Sequence, residues 1–322
     1  MPIELKAKPS FDEFVRACTP LLKIPELEQR MRDRVRAIVH ELLGFQPDAD
    51  PATNLKRFIQ QDESFLGVLL ALTNLSQEKF LRIITAQRFA VGDFGPEWDV
   101  DRLYRKIKKD DVFAEAIARL FLEGRGSRLL AEQVADFYLD QLSLPANWSD
   151  VIRDESVIGN VVRKKLTGEY TDQKGEYIER RISNLLDELQ DRYGVSHAHG
   201  QVALVGKEVD HVVPSLEEPY VLVMVSYMET TSSGQTARAN EQQAMYQKIV
   251  GENVRYTPLE RVFVNIVDGA GWLARRSDLR KMYAGCHYCL NMKTLDQLEA
   301  VICRYVPARF FRDPPGPMAQ GG

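Results

Sequence analysis

The chain has 322 residues, 44% of them apolar, and a formal net charge of −4. This size allows one large domain or two smaller ones, and the acidic balance excludes a histone-like or polybasic binder. No apolar run is long enough for a membrane span, the N-terminus lacks a signal pattern, and four cysteines are too few for a disulfide framework. We therefore expect a cytoplasmic protein with reduced thiols and no membrane contact.

Residues 11–142 are predicted to form a series of helices. Apolar residues recur every three or four positions in IPELEQRMRDRVRAIVHELLGF, and the pattern returns in DDVFAEAIARLFLEG and SRLLAEQVADFYLDQL. In SQEKFLRIITAQRF, Ser76 is placed to cap a helix whose first turn carries Glu78. We interpret residues 1–150 as an all-helical accessory domain.

After Trp148 the pattern changes to mixed helices and strands. A helix is predicted from about Gly175 to Gly194, followed by the strand-like runs QVALVG, EVDHVVP, YVLVMVSY and RVFVNIVDG. The segments TARANEQQAMYQKIVGE and LDQLEAVICRYV supply further helices. Two of the strands are almost continuously apolar, which is typical of strands covered on both faces.

The predicted fold class is therefore α/β (α+β). We expect an N-terminal helical domain, then a mixed central sheet flanked by helices over residues 151–312, and a disordered tail over 313–322, where the sequence is rich in Pro and Gly.

Asp210 is the first candidate for chemistry. It lies in GKEVDHVVP, where strand alternation places Lys207, Val209 and His211 on one side and Glu208, Asp210 and Val212 on the other. Two carboxylates on one strand face are costly unless they are solvated or hold a cation. The pattern fits either a solvated edge strand or part of a metal site.

A nuclease that uses Mg²⁺ needs a second carboxylate and a group that orients water. On the following strand these two functions would fall to positions two residues apart, which here are Met224 and Ser226. Neither side chain is an acid or a lysine. The helix after the strand carries Glu241, which is either a solvated residue of an amphipathic helix or an acid directed back toward Asp210.

These segments together resemble a known family. The run VDHVVP … PYVLVMVSYMETTSSGQTARANEQ … FVNIVDGAGWLARRSDLRKM is similar to the catalytic core of type II restriction endonucleases of the PD-(D/E)XK superfamily. QTARANE resembles the helix by which some members, including those that cut CCGG-centred sites, supply a relocated glutamate. The resemblance covers about residues 175–306.

The resemblance implies roles for individual residues. Asp210 matches the metal-binding aspartate, Glu241 takes the place of the relocated glutamate, and both are expected to bind Mg²⁺. Glu179, in the first helix of the core, matches an acidic residue that helps to order the metal site. No lysine follows a strand acid, so Lys207, Lys248 or the hydroxyl of Ser226 is left to activate water.

The polar loop SSGQT and the arginines after DGAGW are candidates for DNA contacts. Ser, Gln and Thr side chains meet base edges and phosphates, and arginine binds phosphate or guanine. The alternatives are a simple capped turn and a solvated helix face. The candidate DNA-binding residues are Ser232, Ser233, Gln235, Thr236, Arg238, Arg275 and Arg276.

The resemblance implies an Mg²⁺-dependent restriction endonuclease of a bacterial or archaeal cytoplasm that makes sequence-specific double-strand breaks. A homodimer that reads a palindromic site is the natural geometry, because each subunit then cuts one strand. Two alternatives stay open. Met224 and Ser226 are compatible with a catalytically inactive DNA-binding relative, and the helical half is compatible with an interaction protein whose α/β domain is structural.

Overall fold

A computed structural model describes residues 4–126, 130, 132–145, 147–255 and 260–313. The contacts divide the chain into two compact units. Pro25–Gln173 form one, here called the helical unit; Met1–Ile24 together with Lys174–Gly322 form the other, here called the sheet unit. Apart from Asp313, the predicted tail lies outside the described residues.

The sheet unit begins with residues 4–24, which we call the N-terminal strap. Its helix α1 (Phe11–Ala17) starts at a capping box, in which the side chain of Ser10 accepts from a first-turn amide and Glu13 returns the bond. Three side chains of the strap are buried in the core of the sheet unit: Phe11, Phe14 and Cys18. The strap is therefore an integral part of this unit.

The helical unit consists of short helices in sequence. Their bounds are α2 (Pro25–Leu43), α3 (Pro51–Gln61), α4 (Glu63–Leu72), α5 (Gln77–Ala90), α6 (Val100–Lys109), α7 (Asp111–Glu123), α8 (Asp136–Leu142), α9 (Trp148–Val151) and α10 (Glu155–Lys165), with a 3-10 turn at Gly124–Gly126. Among the described helices of the whole chain, none is both long and apolar enough to cross a membrane.

Apolar stripes and side-chain caps explain these helices. Ser76 accepts a hydrogen bond from the Lys79 amide and caps α5, as the sequence predicts. The helix predicted over SRLLAEQVADFYLDQL is shorter than expected. Only α8 forms within it, because the amides of Gln133 and Val134 donate to the Leu130 carbonyl in a turn; residues 127–129 and 131 lie outside the described residues.

The sheet unit continues with the long helix α11 (Thr167–Tyr193), whose residues from Lys174 onward belong to it. The strands are β1 (Ala198–Val202), β2 (Lys207–Pro214), β3 (Pro219–Tyr227), β4 (Val262–Asp268) and β5 (Tyr288–Leu290). The remaining helices are α12 (Gln235–Arg255), α13 (Ala270–Ala274), α14 (Arg276–Ala284) and α15 (Gln297–Tyr305), followed by a 3-10 turn at Ala308–Phe310.

The five strands form one mixed sheet in the order β1-β2-β3-β4-β5. The pairs β1–β2 and β2–β3 are antiparallel, whereas β3–β4 and β4–β5 are parallel. Apolar residues of α11 and α15 cover one face, and those of α1, α12 and α14 cover the other. Every residue of β4 is buried, as its continuous apolar run predicts. The predicted mixed sheet flanked by helices, preceded by a helical region, is confirmed.

The compact units do not coincide with the domain division predicted from the sequence. Helix α10 packs against α2 and α4, so the helical unit extends beyond residue 150 to Gln173. The first 24 residues, in contrast, belong with the sheet. The sequence pattern changes from helical to mixed at Trp148, but neither unit starts there. Both units contain helices before and after Trp148, so the change in pattern does not mark a boundary between them.

Candidate active site

Asp210 lies at an irregularity in β2. Ala198 pairs with Val212 and Gly200 pairs with Val209, so the single residue His199 stands opposite both Asp210 and His211. Such a bulge adds one residue to a strand and redirects its side chains.

The bulge changes which side chains of β2 share a face. Val209 and Val212, three positions apart, are buried in the same core cluster. The alternation predicted from the sequence, which placed them on opposite faces, is therefore wrong at this point.

The two strands β2 and β3 separate at Asp210. Their pairing runs from Pro214 opposite Pro219 to His211 opposite Val223 and stops there. Beyond it, the Val225 amide donates to Asp210 Oδ2 at 2.7 Å, so a side chain replaces the next hydrogen bond between the strands. The carboxylate thus lies where the two strands diverge.

The surroundings of Asp210 destabilise its negative charge. Burial raises the pKa of this carboxyl group above its ordinary value, and the neighbouring charge of Glu208 adds to the rise. The Val225 amide and the positive charge of Arg238 oppose it. The residue nevertheless keeps solvent-exposed surface. A cation from solvent would favour the ionised form.

Met224 and Ser226 lie on β3 beside this opening. Met224 is half-buried against the core on the α12 side of the sheet. Ser226 is 2% exposed, and its hydroxyl oxygen accepts from Trp272 Nε1 at 3.1 Å and from Arg238 Nη1 at 3.2 Å. Two donors occupy the two lone pairs of a hydroxyl, so Ser226 keeps only its own proton to donate.

Glu241 follows Arg238 by three residues and therefore lies on the same side of α12. Its Oε1 forms an ion pair with Lys207 Nζ at 2.7 Å, and both side chains are about half exposed. The other lysine considered from the sequence, Lys248, donates to the Val205 carbonyl at 2.7 Å. The structure thus joins Glu241 to the first residue of β2, three residues before Asp210.

Two further acids occupy contrasting places. Glu179 is exposed on α11, next to the buried Ile178 that faces the sheet. Glu229, just after β3, has a side chain that is 13% exposed and forms an ion pair with the buried Lys174 Nζ at 2.5 Å, while the Tyr227 hydroxyl also donates to it. The Glu229 side chain is therefore directed toward α11.

The SSGQT loop is held by its own side chains. Gln235 is 1% exposed, and its Oε1 accepts from the Ser232 amide at 3.0 Å. Thr236 Oγ1 donates to the buried Asp278 at 2.9 Å and accepts from Arg275 Nη2 at 2.8 Å. The side chains of Gln235 and Thr236 are thus engaged within the protein.

Arg275 completes this network. It donates to the Ser232 carbonyl at 3.0 Å and forms an ion pair with Asp278 at 3.0 Å. Asp278 organises both ends of the loop, yet nothing in the spacing of the sequence distinguishes it from a solvated helix residue. Of the other predicted DNA-contacting residues, Ser232 and Ser233 are exposed, and Arg276 pairs with Asp12 of the strap at 3.2 Å.

DGAGW packs the end of β4 against the start of the same loop. Gly269 has a φ of 106°, and a Cβ on Gly271 would lie 2.3 Å from the Thr230 carbonyl oxygen, so both positions require glycine. Asp268 is buried and accepts from the amides of Gly269 at 2.9 Å and Met292 at 3.0 Å. This carboxylate organises backbone rather than facing the opening beside Asp210.

A comparison with protein families finds a match to this part of the chain. Residues 153–300, which include the whole sheet, match the family model described as DpnII restriction endonuclease. This segment is similar to the DpnII restriction endonucleases. No curated protein and no solved structure matches the chain.

The match confirms the resemblance to type II restriction endonucleases that the sequence motifs suggested. A restriction endonuclease is a sequence-specific nuclease, that is, a hydrolase that acts on DNA. The matched segment spans Asp210, both β3 positions and Glu241.

The residues around Asp210 fit a sparse Mg²⁺ site. Mg²⁺ is commonly held by one or two carboxylates and completes its shell with water and substrate phosphate oxygens. In the described part of the chain, only the Val225 amide donates to the Asp210 carboxylate, which leaves Oδ1 for a ligand. No group of three or more His, Cys, Asp or Glu there is arranged to hold a metal. The available side chains fit a site with one or two protein ligands, and not one in which protein side chains supply every ligand.

Proposed function

We propose that the chain is an Mg²⁺-dependent type II restriction endonuclease that makes sequence-specific double-strand breaks in DNA. The proposal is carried by one observation: the Asp210 carboxylate lies at the point where β2 and β3 diverge, inside the segment that matches a restriction endonuclease family. The variant PD-(D/E)XK arrangement, with its acid relocated to α12, is part of the same proposal.

The reaction is hydrolysis of a phosphodiester. A water oxygen bonds to phosphorus, the bond from phosphorus to one sugar oxygen breaks, and the water proton is released while the leaving oxygen gains one. Bound Mg²⁺ would supply Lewis-acid stabilisation of the phosphate charge. Asp210 and Glu241 would hold the cation, and Glu179 would help to order the site. The hydroxyl of Ser226 would position the guanidinium of Arg238 beside them.

The DNA would lie along the divergent side of β2 and β3 and the loop that follows. Ser232 and Ser233 are exposed there, and Arg238 follows them in the first turn of α12. Arg276 remains a proposed contact, whereas Gln235, Thr236 and Arg275 become contacts only if the loop opens on DNA and they leave their partners within the loop network. A palindromic site bound by a homodimer in a bacterial or archaeal cytoplasm completes the proposal.

A catalytically inactive DNA-binding relative is the second candidate. Two observations favour it: Met224 occupies the place of the second acid, and Glu241 is neutralised by Lys207. Both candidates predict DNA binding, but only the endonuclease predicts Mg²⁺-dependent cleavage.

Asp210 provides the test. We expect the wild-type protein to cut DNA of high sequence diversity into discrete fragments with Mg²⁺ and not with EDTA. Asp210→Ala and Asp210→Asn should abolish cleavage and keep DNA binding, because the Asn variant still accepts from Val225 but loses the charge that holds the cation. Glu217→Gln, on the exposed β2–β3 turn, is the matched charge control.

Two outcomes count against the proposal. Cleavage by Asp210→Asn at the wild-type rate would exclude this site. DNA binding by the wild-type protein without any cleavage would favour the inactive relative.

A further inference from the structure

The place of the missing lysine on β3 is connected to an arginine from another element. Ser226 stands where that lysine would be, and its hydroxyl accepts from Arg238 Nη1 at 3.2 Å. The same oxygen accepts from Trp272 Nε1 at 3.1 Å, and Trp272 is fully buried. A rigid indole thus fixes the hydroxyl, and the hydroxyl fixes the guanidinium beside the strand position that has no lysine.

The guanidinium of Arg238 lacks an anionic partner among the described residues. Its hydrogen bond there goes to a neutral hydroxyl, although its charge is close enough to Asp210 to lower the pKa of that carboxyl group. By contrast, Arg275 and Arg276 form ion pairs with Asp278 and Asp12. A guanidinium has five N–H donors, so most of those on Arg238 remain for a ligand.

The ligand class follows from this geometry. The guanidinium of Arg238 lies near a carboxylate, most of its N–H donors are not used within the protein, and its side chain is on the exposed side of α12. Such a group suits an anion with several acceptor oxygens. A DNA phosphate is such an anion, and guanidinium binds it with two parallel hydrogen bonds.

We propose that Arg238 binds the scissile phosphate and replaces, from α12, the positive charge that the strand lacks at Ser226. The inference rests on the proposed endonuclease function for its catalytic part. Arg238 stabilises the charge that develops on the phosphate oxygens. It does not accept a proton, since an arginine stays charged in proteins. Ser226 and Trp272 are positioning residues that act through it.

Four variants separate charge from positioning. Arg238→Gln should lower kcat on the order of 10²-fold or more, the scale of a lost transition-state donor. Arg238→Lys keeps the charge and should retain part of the activity. Ser226→Ala and Trp272→Phe keep Arg238 but loosen it, so kcat should fall about tenfold while the shape of the pH profile stays unchanged. Arg304→Gln, exposed on α15, is the control arginine.

DNA binding without divalent cation gives a readout that does not depend on cleavage. One lost phosphate contact should reduce the slope of log K against log salt by about 0.9. We expect this decrease for Arg238→Gln and not for Arg238→Lys or Arg304→Gln, with thermal unfolding used to confirm that each variant is folded.

The outcomes distinguish this inference from the proposed function. If the wild type cuts and Arg238→Gln cuts equally well, the inference is overturned and the endonuclease proposal stands. If the wild type binds DNA without cutting, the endonuclease proposal fails, and the salt slope still decides whether Arg238 contacts phosphate. An unchanged slope for Arg238→Gln, or an equal decrease for Arg238→Lys, overturns the contact.

Discussion

At the scale of single residues, two glutamates compete for the place of the second acid beside Asp210. Glu208 is two residues away on β2, and its charge raises the pKa of Asp210, so the two carboxylates are within electrostatic reach. Glu241 comes from α12 and is paired with Lys207. Glu208 has proximity in its favour, whereas Glu241 has the position that the family resemblance implies.

We predict that Glu241→Gln lowers cleavage on the order of 10²-fold or more, a barrier increase of roughly 3 kcal/mol. A single carboxylate holds Mg²⁺ poorly against its preference for water. Glu208→Gln, which keeps the strand intact, should reduce cleavage less. Both rates are measured at saturating Mg²⁺ on folded protein.

Lys207→Met refines this prediction. Without its ion-pair partner, Glu241 is free to bind the cation, so the Mg²⁺ concentration for half-maximal cleavage should fall. If Glu208→Gln is the more damaging variant and Lys207→Met leaves the Mg²⁺ dependence unchanged, the second acid is Glu208.

Glu229 illustrates what the sequence could not reveal at this scale. It follows Ser226 by only three residues, just after β3. Its actual partner is Lys174, 55 positions away on α11; Lys174 is buried and the Glu229 side chain is 13% exposed. Removal of one member of a largely buried pair destabilises the fold, so loss of activity in a Glu229 variant would not identify a catalytic acid.

At the scale of elements, hydrophobic periodicity predicts those strands and helices that depend on the local sequence. The strands β2, β3 and β4 and the helix α12 follow from apolar runs and their lengths. The three-residue strand β5 was missed, because a run of this length is too short to show alternation. The bulge at Asp210 was missed because a register shift depends on how β1 pairs with β2.

The loop between β3 and α12 gives a prediction at this scale. From the sequence, Gln235 is expected to contact a base; in the structure it is buried and holds the Ser232 amide. We therefore expect Gln235→Ala to lower the free energy of unfolding by about 1–3 kcal/mol, the range for a buried group left without its partner. Its binding to cognate and to random DNA should weaken together.

Ser233→Ala is the matched comparison, because Ser233 is exposed in the same loop. It should leave the unfolding free energy unchanged and weaken only cognate binding. Denaturant unfolding and competition binding measure the two effects. If Gln235→Ala keeps full stability and loses only cognate binding, the loop opens on DNA and Gln235 is a base contact after all.

At the scale of the whole molecule, the helical unit is an insertion in the sheet unit. The chain starts with the strap, forms Pro25–Gln173, and then returns to complete the sheet unit. The Thr19 amide donates to Asp268 at 2.5 Å, and the Leu22 amide donates to the Tyr227 hydroxyl at 2.9 Å, so the strap contacts the carboxyl ends of both β3 and β4. Composition cannot reveal such a discontinuous unit, because its two parts are separated by 149 residues of another unit (25–173).

This arrangement predicts how fragments of the chain fold. A fragment of residues 151–322, cut where the sequence pattern changes, lacks Phe11 and Phe14 of the strap, both buried in the sheet-unit core. Each buried aromatic contributes about 1.5–3 kcal/mol, and their sum is a large share of the roughly 5–15 kcal/mol that stabilises a domain. The fragment also exposes Ile158 and Val162 of α10, which belong to the helical core. We expect it to lack a cooperative thermal transition.

Residues 4–24 joined to 174–322 by a Gly/Ser linker of about 20 residues, with a reach of roughly 25 Å, should unfold cooperatively, because this chain restores the strap and omits α10. Phe14→Ala in the joined protein is the control, since Phe14 is 1% exposed. It should lower the unfolding free energy by about 3–5 kcal/mol, the usual cost of a large cavity. Circular dichroism during heating and denaturant titration provide the comparison. Equal stability of the two fragments would mean that the strap contributes nothing to the fold and that the sheet unit is complete without it.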